Sequence, residues 1–302
     1  MLIYYENTLC LFFILLCFPF VVYAYKPEDI KRLKLTNKCW KCDFSQADFK
    51  NQNFESSVLV NANFRGTNLR NTSFKSAYLN KADFRYSKLQ GVVFDLAMLE
   101  GAQLAFLKLN KGNFMLANMK WTNLTGIQLR EANLKGARLD GAKLTGADLS
   151  EVNLEKADLK GANLKGANLM RANLFEAHFH GANLERANLS FTDLTAAELN
   201  NANLSYANLN GAKMRASVLQ KANLTGAKLQ DAFLVVSDLR EANFNSADMK
   251  RADLSYSNLD GAEFEKTNLT ETNFKNANIS LNQLKKSILL KTIMPGGKIM
   301  SN

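Results

Sequence analysis

Proline is scarce in this chain of 302 residues: Pro19, Pro27 and Pro295 are the only three, and the long stretch between the last two has none. An uninterrupted backbone ladder requires that absence, because proline has no N–H to give. Histidine occurs only twice, at His178 and His180, and cysteine four times. Cys10 and Cys17 lie in the apolar N-terminal segment, and once that segment is removed no second Cys or His pair is available to complete a structural metal shell around Cys39 and Cys42. Gly-rich phosphate loops are missing too; Gly136, Gly141, Gly146, Gly161 and Gly166 punctuate a repeat instead of forming a cradle. Neither the 3.6-residue spacing of a helix nor the alternation of a long strand persists anywhere in the body of the chain.

What is present is a period of five. From Phe44 to Ile279 every fifth residue is large and apolar, giving 32 Leu, 12 Phe, three Met and one Ile at 48 positions without insertion or deletion. Two residues before each stands a small residue in 43 of the 48, most often Ala, with Asp or Asn usual between them. Ala162-Asn163-Leu164-Lys165-Gly166 is one such unit. Small–polar–large alternation places the small and large side chains on one side of a short extended segment and the Asp or Asn on the other. The remaining two residues, such as Lys-Gly or Thr-Gly, are turn formers. Corners of one hand wind the chain into a coil, and successive coils pair at the interstrand distance of about 4.8 Å.

The phenylalanines count the sides. Phe44, Phe54, Phe64, Phe74, Phe84 and Phe94 occupy alternate units, with Leu59, Leu69, Leu79 and Leu89 between. A four-sided coil stacks these rings on opposite walls, whereas three sides would scatter them. Four sides give about 12 coils and a rod of roughly 55 Å. The small residue keeps the narrow interior filled to ordinary density.

At this point the chain resembles the pentapeptide-repeat proteins, whose pattern is A-[D/N]-L-x-x. That resemblance implies an all-β fold, a right-handed quadrilateral β-helix, with the handedness supplied by the family. The flanks, Pro27 to Phe44 and Thr292-Ile293-Met294-Pro295-Gly296, resemble those of exported bacterial members. The expected organisation is a signal peptide at 1–24, an N-terminal cap at 25–43, the β-helix at 44–279, and a C-terminal capping helix and tail at 280–302. Short helices are expected at both ends. Pro27 to Leu33 has a first-turn Pro with early acids and later bases. Ser280-Leu281-Asn282-Gln283 is a capping box, and Leu281, Leu284 and Ile288 follow helical spacing over 280–290.

Leu9 to Val22 is apolar throughout and Val22-Tyr23-Ala24 resembles a cleavage site, the pattern of export to the periplasm or beyond. Glu6 precedes the run while Lys26, Lys31, Arg32 and Lys34 follow it. That charge order favours the competing reading, in which residues 9–24 stay as a membrane anchor. Removing the segment leaves 38 basic and 27 acidic side chains, a net charge of +11, and takes Cys10 and Cys17 with it. Cys42 then lies in the small inward position before Phe44, and Cys39 in a large inward position five before Phe44. A local disulfide bracing the first coil is expected in an oxidising compartment. A redox C-x-x-C, half of a zinc site and buried free thiols are the alternatives.

No catalytic constellation and no cofactor are expected, since acids on a column face outward without a cleft. His178 and His180 flank inward Phe179 and face solvent with no carboxylate set beside them. Asn163, Asn183, Asn203, Asn223 and Asn243 should stack as a structural amide ladder. The repeat departs from its own rules between 92 and 127. There Val92, Leu107, Gly112 and Ile127 alter the small position, and Phe106 faces outward. Val58, Val60, Tyr78, Val93, Leu96, Met98, Met115, Leu116 and Trp121 form a candidate partner patch, with Phe233, Val235 and Val236 a smaller one. The competing reading is irregular backbone that tucks these side chains away. The function expected is a non-catalytic exported scaffold for an unidentified protein partner. The alternative is attachment of the basic exterior to anionic polymer or membrane. Nucleic acid is disfavoured because acids and bases interleave. A gyrase-directed DNA mimic would need an acidic surface, which +11 denies.

Overall fold

The computed structural model describes residues 25–301. The expected signal segment, with Cys10 and Cys17, lies outside the described residues. Helix α1 (Pro27–Thr36) opens the fold, with Pro27 in its first turn, Glu28 and Asp29 at its positive end, and Asn37 in the left-handed conformation at its close. It seals the open end of the first coil. The Asp43 N–H donates to buried Asp29 Oδ2 at 2.8 Å, and Lys26 N–H donates to Asp43 O at 3.2 Å. Arg32 neutralises the same carboxylate.

Beyond the cap the chain is a column of parallel coils. Each wall residue bridges the residue twenty later: Asn163 pairs with Asn183, and Asn183 with Asn203. Twenty residues therefore complete a turn of the coil, and the cross-section has four walls. Wall 1 carries Lys38, Val58, Tyr78 and Met98; wall 2 carries Asp43, Asn63 and Asp83; wall 3, Asp48, Asn68 and Lys88; wall 4, Asn53, Ser73 and Val93. Ladder bonds are short, as in Leu164 N–H to Asn183 O at 2.7 Å and Asn183 N–H to Ala162 O at 2.9 Å.

The interior is filled with buried apolar side chains. Phe44, Phe64 and Phe84 stack up one inner wall at 5.2 and 5.0 Å, and Phe74, Phe94 and Phe114 up the opposite one at 5.4 and 5.2 Å. Rings of the two stacks meet edge to face, Phe64 on Phe74 at 5.6 Å. Where Ser or Thr replaces Ala, the buried hydroxyl donates to a carbonyl, as Thr67 does to Phe44 O at 2.8 Å. The Asp or Asn of each wall closes the following corner: Lys165 N–H donates to Asn163 Oδ1 at 3.1 Å. The Asn ladder satisfies itself the same way, with Asn203 Nδ2 donating to Asn183 Oδ1 at 3.4 Å.

The C-terminal helix is far shorter than the expected 280–290. Helix α2 (Leu281–Leu284) makes a single turn that takes the place of wall 2, and Gln283 Nε2 donates to Leu259 O at 2.8 Å and Ala262 O at 2.9 Å. The coil then resumes: Ile288 bridges Asn268 on wall 3 and Ile293 bridges Asn273 on wall 4. Leu284, Leu289 and Met294 are buried and continue the five-residue spacing from Ile279, while Leu281 and Ile288, assigned to the helix's apolar face, are exposed. The expected tail is likewise structured. Strand β1 (Thr292–Ile293) pairs antiparallel with β2 (Ile299–Met300) and covers the end of the column.

Every corner from Lys41 to Asn276 has a positive φ at its second residue, and 35 of these 48 residues are not glycine. Left-handed backbone costs an L-residue about 1–2 kcal/mol, with Asn among the exceptions. Val236 is a β-branched case, at φ 61° and half exposed. Val236→Asn should raise stability by about 1 kcal/mol in denaturant melts; an unchanged or lower midpoint would show that the corner carries no strain.

Candidate functional site

The two inward cysteines close the first coil. Cys39 and Cys42 are joined by a disulfide with their Cα atoms 5.5 Å apart, both buried beneath α1. Asp29 lies close to both sulfurs, but its oxygens are taken by Arg32 and by the Asp43 amide. A disulfide sulfur is not a thiolate, so this trio has no charged sulfur to offer a metal.

The histidines need a correction. His178 on wall 1 lies between Asp158 and Glu198, and its Nδ1 is 3.0 Å from Glu198 Oε2. A carboxylate is therefore fixed beside it, twenty residues on, in a half-exposed ion pair on a convex wall. Wall neighbours across coils also explain the charge pattern. Lys135 reaches Glu155 at 2.9 Å, Lys165 reaches Glu185 at 2.8 Å, and Arg251 reaches Asp231 at 2.6 Å, each across one coil. Many basic side chains are thus paired with acids across coils, and each such pair contributes little net attraction for a polyanion.

The apolar residues sort into a definite shape. Val58, Tyr78 and Met98 are consecutive on wall 1. Leu96, Met115 and Leu116 occupy two coils of the adjoining edge, where wall 4 turns into wall 1, and Val93 lies on wall 4 beside them. The backbone here is regular: Leu96 N–H donates to Met115 O at 2.9 Å and Leu99 N–H to Asn118 O at 2.7 Å. The side chains are not tucked away. Tyr78 is 50% exposed and Leu116 54%. Val60 and Trp121 belong to the far edge of wall 1, so the structure separates Trp121 from Leu116 by the width of a wall. Phe233, Val235 and Val236 fall on the same edge as Leu116, with Val236 six coils farther along, or about 29 Å.

One signal went unread in the sequence. Several large exposed corner residues are followed twenty residues later by glycine. Leu116 lies over Gly136, Trp121 over Gly141, Phe106 over Gly126 and Phe191 over Gly211, each so close that a Cβ on the glycine would collide with the side chain.

The Pentapeptide repeats family profile matches eight copies, spanning 42–151 and 153–281 in overlapping segments. The chain belongs to the pentapeptide repeat family. Its β-helix is accordingly right-handed and quadrilateral, and the protein is a repeat scaffold. Among solved structures it is similar to HetL of the cyanobacterium Nostoc sp. strain PCC 7120, a pentapeptide repeat protein involved in heterocyst differentiation regulation. That match is 27% identical over 92% of this chain and 100% of HetL, with a TM-score of 0.34. A pentapeptide repeat protein of the Arabidopsis thaliana thylakoid lumen is 35% identical over 32% of this chain and 68% of its own, with a TM-score of 0.32. QnrB1, a plasmid-mediated fluoroquinolone resistance protein, is 20% identical over 54% of this chain and 89% of its own, with a TM-score of 0.47. No curated protein sequence matches the chain.

Near the second apolar cluster, Asp238 accepts two hydrogen bonds from Arg240, at 2.9 and 2.7 Å, and one from Gln220 at 2.7 Å. Chiefly through Arg240, its pKa falls from the ordinary 3.8 to about 2. A depressed carboxylate stabilises the fold above 3.8, and that stabilisation is lost as pH falls toward about 2. Asp238→Asn should therefore flatten the stability profile across that window, by a small amount given the exposure of Arg240. A variant profile that superimposes on the wild type would remove this pair from the acid response.

Proposed function

We propose that this pentapeptide-repeat protein is a non-catalytic, exported scaffold that captures another protein along the edge between walls 4 and 1. The observation that carries the reading is the run of Tyr78, Leu96, Met98, Met115 and Leu116 on neighbouring coils. Tyr78, Leu96, Met115 and Leu116 stand exposed, with Met98 partly buried beside them, on backbone whose ladder is intact. Contiguous apolar groups on an otherwise charged, rigid rod are the usual mark of a partner surface. The second cluster on the same edge suits an elongated partner or one with two anchors. Export is supported by the apolar segment Leu9 to Val22 with its small-residue junction, and by the cysteine pair at the first coil. Acids along the walls are paired to bases across coils, as Glu155 is to Lys135 and Glu185 to Lys165, a structural use of these groups that supports the non-catalytic role.

The test is Met115→Asp with Leu116→Asp. Both side chains are exposed at a corner, so circular dichroism and the melting midpoint should match the wild type while capture of a partner from native extract is lost. Equal capture by the double variant would sink the reading. Capture that disappears steeply with added salt would instead favour the basic exterior on anionic polymer. Fractionation with N-terminal sequencing tests export: a mature chain beginning at Tyr25 outside the cytoplasm is expected, and an intact Met1 in the membrane fraction would favour the anchor.

A further inference from the structure

Among the described residues between the two caps, the ladder of parallel coils is breached on wall 3, away from the apolar edge. Among the described residues, Lys88 and Lys108 form no bridge, although Asn68 with Lys88 and Lys108 with Gln128 do. The amides of Tyr86, Leu89 and Gly91 on one coil, and of Leu107, Lys108 and Asn113 on the next, lack the backbone acceptors their counterparts use elsewhere. The cause is readable. Leu107 fills a position held by Ala, Ser or Thr in most coils, and its volume pushes the wall outward. Two ammonium groups on consecutive coils add repulsion. On either side the coils stay paired, at Asp83 with Gln103 and at Val93 with Asn113, so the opening is too short to admit an inserted strand.

A cleft of about 270 Å³ opens at the breach, lined by Arg85, Tyr86, Ala105, Phe106, Leu107 and Asn123. Its two sides are aromatic. Tyr86 and Phe106 occupy the same edge on consecutive coils and are 74% and 75% exposed. They do not stack on each other, unlike the inward rings. Phe106 leans onto Gly126 in the coil beyond. The Tyr86 ring is backed by Arg65, whose guanidinium carbon is 5.0 Å from the ring centre. Tyr86 and Leu107, whose N–H groups have lost their backbone acceptors, both line the cleft. Asp83 neutralises Arg65 and Arg85. Lys88 and Lys108 have no ion-pair partner among the described residues, and on wall 3 the nearest acids, Asp48 and Asp148, are each two coils away.

We propose that this cleft binds a flat heteroaromatic ring carrying an anionic group, of the nucleoside monophosphate kind. The ring enters between Tyr86 and Phe106, its edge meets the free amides, and the anion lies against Lys88 and Lys108. Stacking is tolerant of ring identity, so the site selects a class of ligand and not one base. The two ammonium groups, neither held in a close ion pair among the described residues though Lys88 is drawn toward Asp48, choose the charge.

The test titrates the full chain with AMP, adenosine and inorganic phosphate, following the amide signals of Tyr86, Leu89 and Lys108. Saturable AMP binding is expected, with adenosine or phosphate alone weaker by about tenfold or more, since each lacks one half of the recognition. Phe106→Ala removes an exposed ring and should weaken AMP by about tenfold with folding unchanged. Leu107→Ala restores the small residue, so the ladder should close: the melting midpoint holds or rises, the breach amides become protected, and AMP binding is lost. The proposal is overturned by no saturable AMP binding below about 10 mM, by phosphate matching AMP, or by Leu107→Ala binding as well as the wild type.

Discussion

A column whose backbone pairs with itself once per coil has a fixed and narrow interior, and everything else in this protein follows from filling it. Each wall can send in one large and one small side chain. Leu or Phe with Ala fills the space, and the stacked rings from Phe44 to Phe114 show how tightly. The same geometry forces a tight corner every five residues. It tolerates left-handed backbone at positions such as Trp121 and Val236 because the ladder on either side holds them there.

That constraint also sorts residues into structure and everything else. The Asp and Asn residues close corners and pair across coils; many acids and bases along the edges meet partners twenty residues away. Two kinds of departure remain. One leaves the backbone intact and puts apolar groups outside, along the edge carrying Leu96 and Leu116. The other disturbs the backbone itself, where Leu107 opposes the small-residue rule. They lie on different sides of the rod and have different chemistry, one apolar and flat, the other aromatic, cleft-like and basic.

The period of five, the four walls and the inward cysteines were all legible in the sequence, because each is a matter of spacing. Three features were not read, for distinct reasons. Leu284, Leu289 and Met294 keep the period past Ile279, but a capping box and the helical spacing of Leu281 and Ile288 overlap it, so two patterns compete over the same residues. Glu198 beside His178 and the glycines opposite large corner residues are neighbours at a distance of twenty, invisible within one unit. The breach at Lys88 and Lys108 needs both facts together: an oversized residue in a small slot and like charges one coil apart. Ile127 and Val152 are larger than Ala too and are accommodated without a break, so volume alone does not identify the site.

The central claim is that the five-residue register, repeated over four walls, holds the fold. Two altered chains test it most directly by thermal melting. Duplicating residues 157–176 adds one complete coil and leaves every inward position inward. Inserting a single Ala between Asn163 and Leu164 turns the following large residue away from the core. The duplicated chain should melt cooperatively at or above the wild-type midpoint. The single insertion should lose about 2–5 kcal/mol, the cost of one vacated Leu site. Equal melting of the two would contradict the account.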